Sequence, residues 1–196
     1  NGSYGKLMKA YYAKQDAEKL SGKGDTSQKL TLMKTSADSL KKSADALNDS
    51  SLWEKKKIKK KDEKTGEEIE VEDYDWDKIT KAVKSFVEDY NDVVKEAGES
   101  NTKDVLRNAS WMTGMTDKNS NMLAKIGITI GKGNKLELDE DALKQADISS
   151  LKTVFTGYNS FVSKISQKAT GISNAANRAS ATYTNNGTYS KTDSLL

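Results

Sequence analysis

Residues 30–47 read LTLMKTSADSLKKSADAL. Leu30, Met33, Ala37, Leu40, Ala44 and Leu47 step by 3, 4, 3, 4 and 3. That spacing lays one apolar seam along an α-helix for nearly three heptads. A second seam runs through Ile79, Val83, Phe86, Tyr90, Val93 and Ala97, from a start at Trp76 or Asp77 to a stop at Gly98. A third follows Leu151, Val154, Tyr158, Phe161, Ile165, Ile172, Ala176 and Ala179 along one long helix from Ser149 to about Ala181. Helices of this kind are unstable alone in water, because nucleation is costly and the seam needs a partner. The spacing therefore predicts a mainly α fold: an antiparallel, coiled-coil-like helical bundle carrying small β-hairpins.

Around these seams the remaining elements fall into place. Residues 3–20 read as a helix, with Leu7 and Tyr11, and Met8 and Tyr12, four apart. SGKGDTSQ at 21–28 breaks the chain and offers Asp25, Thr26 or Ser27 as the cap of the next helix. Residues 101–124 read as partly helical, with Gly114 as an interruption. Ile126, Ile128 and Ile130 alternate, GKGNK turns, and Leu136 and Leu138 alternate again, which is a hairpin over 126–138. Asp139 then caps a short helix. The expected organisation is one elongated helical-bundle domain over 1–196, with a charged hairpin projecting at 53–76 and a flexible tail at 183–196.

The most highly charged segment is WEKKKIKKKDEKTGEEIEVEDYDW, Trp53 to Trp76. Its seven lysines face nine acids, so the segment neutralises itself. A turn near Lys64-Thr65-Gly66 sets Lys57 beside Glu72, Lys59 beside Glu70, Lys61 beside Glu68, Ile58 beside Val71 and Trp53 near Trp76. Opposite charges across strands each contribute roughly 0.2–1 kcal/mol. A nucleic-acid footprint needs a basic excess on one face, whereas the whole chain carries a net charge of only +3. No nucleic-acid partner is expected.

The chain contains no cysteine and no histidine, which removes thiol chemistry and the commonest general base and metal ligand. GITIGKG at 127–133 has the wrong spacing for a phosphate loop, and LDEDAL lacks the pattern of a calcium loop. No apolar run is long enough to span a membrane. Trp53, Trp76 and Trp111 read as buried anchors. The sequence predicts no cofactor, no metal and no enzyme activity; a Ser–Lys dyad is the one nucleophilic option the composition leaves.

One block points further. Leu123, Ile126-Gly127-Ile128, Gly133, Leu136, Leu138-Asp139, Leu143, Ala146 and Val154-Phe155 resemble the C-terminal region of the bacterial flagellar filament-capping family, the second hook-associated proteins. Upstream, Val83, Phe86, Val87, Tyr90 and Asn91 are similar to that family's V-x-x-F-V-x-x-Y-N helix. The 53–76 hairpin stands where that family inserts large β-rich heads, so the chain resembles a reduced or trimmed relative. The resemblance implies an exported, structural protein of the flagellum or cell surface. It would assemble through helices with copies of itself or with flagellin-like or hook-associated partners. A flagellin-like filament subunit is a variant of this reading, and an unrelated cytoplasmic helical interaction module is the alternative.

Overall fold

In the computed structural model the described residues are Lys9 and 24–181, except Glu63. The helix expected over 3–20 and the tail expected at 183–196 lie outside them. Among the described residues are seven α-helices and two antiparallel strand pairs. The helices are α1 (Ser27–Asn48), α2 (Trp76–Gly98), α3 (Lys103–Lys118), α4 (Ser120–Ala124), α5 (Glu140–Gln145), α6 (Ile148–Phe155) and α7 (Phe161–Ala181). Strands β1 (Lys56–Lys61) and β2 (Glu68–Asp73) form one hairpin, and β3 (Ile128–Ile130) and β4 (Leu136–Leu138) the other. The mainly α fold with small hairpins is the one the seams predict.

The helices begin where short polar side chains replace missing backbone partners. Thr26 accepts from the Lys29 N–H, Asp75 from Lys78, Asp139 from Asp141 and Ala142, and Asp147 from Ser150. The seams then close on one another in a single cluster of buried residues. Leu30, Met33, Ala37, Leu40, Leu47, Ile79, Val83, Phe86, Tyr90, Val93, Val154, Phe161 and Ile165 are all buried. α1 packs most extensively on α7 and next on α2, and α3 also packs on α7.

Three expectations are corrected. The third helix is broken between α6 and α7, because Thr156 is extended and Gly157 takes φ +99°, a left-handed conformation that favours glycine. The break is held in place: the Gly157 N–H donates to Asn48 Oδ1 at the end of α1, and Ser160 Oγ accepts from the Ser163 N–H to restart the helix. Tyr158 consequently leaves the seam and is 82% exposed. In the 101–124 region Gly114 continues the helix, and the interruption falls at Asn119. Trp111 is 64% exposed on α3, with the Lys168 ammonium 4.8 Å from its ring centre, so it is no buried anchor.

Trp53 is buried as expected, but its ring stacks on Phe155 at 5.5 Å and its indole N–H donates to the Leu47 carbonyl. Trp76 packs edge-on against Tyr74.

Candidate functional site

The hairpin β3–β4 is built from residues that few substitutions could replace. Gly127 has φ +80°, and a Cβ there would lie 2.6 Å from the Asp139 carbonyl oxygen and 2.9 Å from the Leu143 nitrogen. The chain thus closes on itself: the Asp139 N–H donates to the Gly127 carbonyl, while Asp139's side chain caps α5. Gly133 also has positive φ, +74°, but opens onto free space. Leu123, Ile126, Ile128, Leu136, Leu143 and Phe155 are buried beneath this turn, and Leu138 packs against the same core.

The Tyr90-Asn91 pair joins α2 to this hairpin. Tyr90 is fully buried and its hydroxyl donates to Thr116 Oγ1 on α3 at 2.9 Å. Burial raises its pKa strongly, and the bond to Thr116 only partly opposes that. Asn91, one residue on, meets β4. Its amide donates to the Leu136 carbonyl at 2.9 Å and its oxygen accepts the Leu136 N–H at 2.7 Å. A single side chain thereby does for the edge of β4 what a further strand would do.

Two further polar constellations were missed in the sequence. Asp38 and Asp45 on α1 accept from Ser173 and Ser166 on α7, each at 2.6 Å. The pairs run in opposite order, so α1 and α7 are antiparallel, and they are spaced one heptad apart on both helices. Burial opposes ionisation of Asp38, but hydrogen bonds from Lys34 and Ser173 outweigh it and hold the pKa below its ordinary value. At Asp45, burial is likewise outweighed by Lys41 and Ser166. The signal was present in the repeat SADSL…SADAL at 36–40 and 43–47.

Asp25, expected as one of three possible caps, is 3% exposed and does something else. Its carboxylate accepts from Ser100 Oγ, the Asn101 and Thr102 N–H groups and Thr102 Oγ1, between 2.6 and 3.0 Å. It pins the turn between α2 and α3 to the start of α1. No local sequence signal links residues this far apart.

The hairpin β1–β2 has the expected register: Lys57 opposite Glu72, Ile58 opposite Val71, Lys59 opposite Glu70 and Lys61 opposite Glu68. Its ion pairs run diagonally instead of straight across, Lys59 to Glu68 at 3.7 Å and Lys60 to Asp73 at 2.6 Å. The long lysine stems reach past their direct neighbours. All four groups are at least one-third exposed, so each pair adds little stability.

Between α1 and α2 lies an open groove of about 580 Å³, lined by Ser39, Lys42, Ser43, Lys78, Lys81 and Asp89 among others. Its lysines are exposed, which is not the desolvated ammonium that a Ser–Lys dyad requires. Asp89 has a raised pKa, from burial first, against the Ser43 hydrogen bond and with the charges of Asp92 and Glu88. Among the described residues no cluster of carboxylates is placed to hold a metal, and no helix is long and apolar enough to cross a membrane.

The elements α3 to α7, with the β3–β4 hairpin between them, lie within one family match. Residues 100–195 match the family model of the flagellar hook-associated protein 2 C-terminus. The match covers just under half of the chain. The matched segment includes the Gly127–Asp139 closure and both serines of the α1–α7 ladder. The Tyr90-Asn91 helix precedes it and is bound to it through Leu136 and Thr116. No curated protein and no solved structure matches the chain.

Proposed function

We propose that the protein is a structural, non-enzymatic component of flagellar cap or hook-associated type, working outside the cell at the flagellum or cell surface. The match of residues 100–195 to the hook-associated protein 2 C-terminus carries this reading. In it the bundle acts as one elongated unit that associates with copies of itself or with flagellin-like or hook-associated partners. The seams are consumed within the chain, since their residues are buried in its own core. Association therefore uses outer surfaces: the charged hairpin, the helical faces bearing Leu32 and Trp111, and the loop bearing Tyr158, all of which are exposed.

The test is light scattering and electron microscopy of the full chain, alone and with flagellin, together with its recovery from surface shear fractions. Rings, filaments or filament-end particles are expected. A monomer at every concentration, with or without flagellin, would remove the assembly reading. Protein confined to the cytosol would favour the cytoplasmic interaction module.

A further inference from the structure

The two hairpins treat their edges in opposite ways. On β4, Asn91 occupies the outward-pointing N–H and C=O of Leu136. Among the described residues β1 and β2 form a two-stranded sheet by themselves, so both are edge strands there. The Asp62 N–H donates to the Glu67 carbonyl. With the observed register, alternation along an antiparallel ladder turns the remaining backbone groups outward at Lys57, Lys59 and Lys61, and at Glu68, Glu70 and Glu72.

These two open edges are opposite in charge. β1 is KKIKKK, five lysines in six residues, and β2 is EIEVED, four acids in six. Except for Ile58, Val71 and Asp73, which are half-buried, the side chains of both strands are exposed. Pairing β1 with another β1 sets lysines against lysines, and pairing β2 with β2 sets acids against acids. Like charges opposite one another destabilise a sheet, and edge lysines are a recognised barrier to sheet growth. Only the contact of β1 with β2 of a second copy is attractive.

From this we infer that the hairpin is a directional docking element for a second copy of this chain, through the basic edge of one hairpin and the acidic edge of the next. Shifting one hairpin sideways by two strands keeps every neighbour antiparallel and keeps Lys59 level with Glu70 of the second copy. The Lys57, Lys59 and Lys61 backbone groups then bond those of Glu68, Glu70 and Glu72 in the second copy. Each copy uses one edge to receive and the other to give, so the contact is head-to-tail; it closes into a ring or extends as an open row, depending on the rotation per copy. The inference supplies a surface for the self-assembly proposed above and rests on that reading.

The absence of cysteine in the chain makes cross-linking unambiguous. Full-length Lys59→Cys and Glu70→Cys variants are mixed under mild oxidation, and each is also oxidised alone. The mixture is expected to yield about tenfold more cross-linked dimer than either variant alone, and about 0.5 M salt should remove most of that excess by screening. Lys59→Pro deletes an outward N–H while sparing the bonds within the hairpin, and should abolish association that Lys59→Ala retains. A mixture no richer in dimer than its components would overturn the inference. So would Lys59→Pro assembling as well as Lys59→Ala, in which case self-assembly stands and another surface carries it. A wild-type chain that stays monomeric would remove both.

Discussion

Gly127 and Gly133 form a natural matched pair. Both have positive φ, +80° and +74°, in the same hairpin. Replacing either with alanine places a Cβ in the left-handed region, at about 1 kcal/mol each. At Gly133 nothing lies within 4 Å, so that strain is the whole cost. At Gly127 the Cβ meets backbone atoms at 2.6 and 2.9 Å, which cannot rotate aside. Forced displacement of packed backbone adds about 2 kcal/mol more, giving about 3 kcal/mol in total. With a urea slope of about 2 kcal/mol/M, the midpoint should fall by about 0.5 M for Gly133→Ala and about 1.5 M for Gly127→Ala. Asparagine tolerates the left-handed region, so Gly133→Asn should recover most of the loss and Gly127→Asn should not. Equal shifts for the two alanine variants would refute the steric argument, as would a rescue by asparagine at 127.

Asn91→Ala leaves the Leu136 N–H and C=O without their partner and should cost about 2 kcal/mol in urea unfolding. Amide exchange at Leu136 should accelerate in the same variant; unchanged protection would contradict the strand-like role of Asn91. Asp25→Ala strips a buried carboxylate from four donors and should cost about 3 kcal/mol, and a loss below about 0.5 kcal/mol would show that the turn holds itself. Asp38 and Asp45 have pKa values lowered from 3.8, so their ladder contributes fully above that value and is lost as pH falls through the folded-state values. Other carboxylates share this direction, so the comparison is with Asp38→Asn/Asp45→Asn, whose urea midpoint should fall less steeply below pH 3.8 than that of wild type.

What could be read in the sequence was periodic or strictly local. The seam through Leu30 and Leu47 follows from burial alone, and the Lys57–Glu72 register follows from turn position and charge. Gly133 stands out because the flanking alternation leaves the turn no other place, whereas Gly127 lies within that alternation and its closure against Asp139 shows only in the fold. The break at Gly157 was hidden because Leu151, Val154, Tyr158 and Phe161 keep heptad spacing across it. Tyr158 fits the pattern yet sits on the loop, where Asn48, from the far end of α1, fixes the backbone. Trp111 misled for a related reason: its size suggests burial, but it is exposed on α3 and offers its ring face to the ammonium of Lys168. The Asp25 clamp spans 75 residues and more, and only the folded chain brings its groups together.

The Asp–Ser ladder has a mechanical consequence. Because α1 and α7 run antiparallel in that register, residues 24 and 181 come to the same pole of the bundle, and the charged hairpin follows α1 at the opposite pole. A pull between the hairpin and residue 181 must pass from α1 to α7 along their lengths. It loads both Asp–Ser bonds and the seam between them together, in shear, instead of peeling them apart one at a time. The bundle is in this sense a strut, strongest along the line that joins its charged tip to the pole where residues 24 and 181 lie.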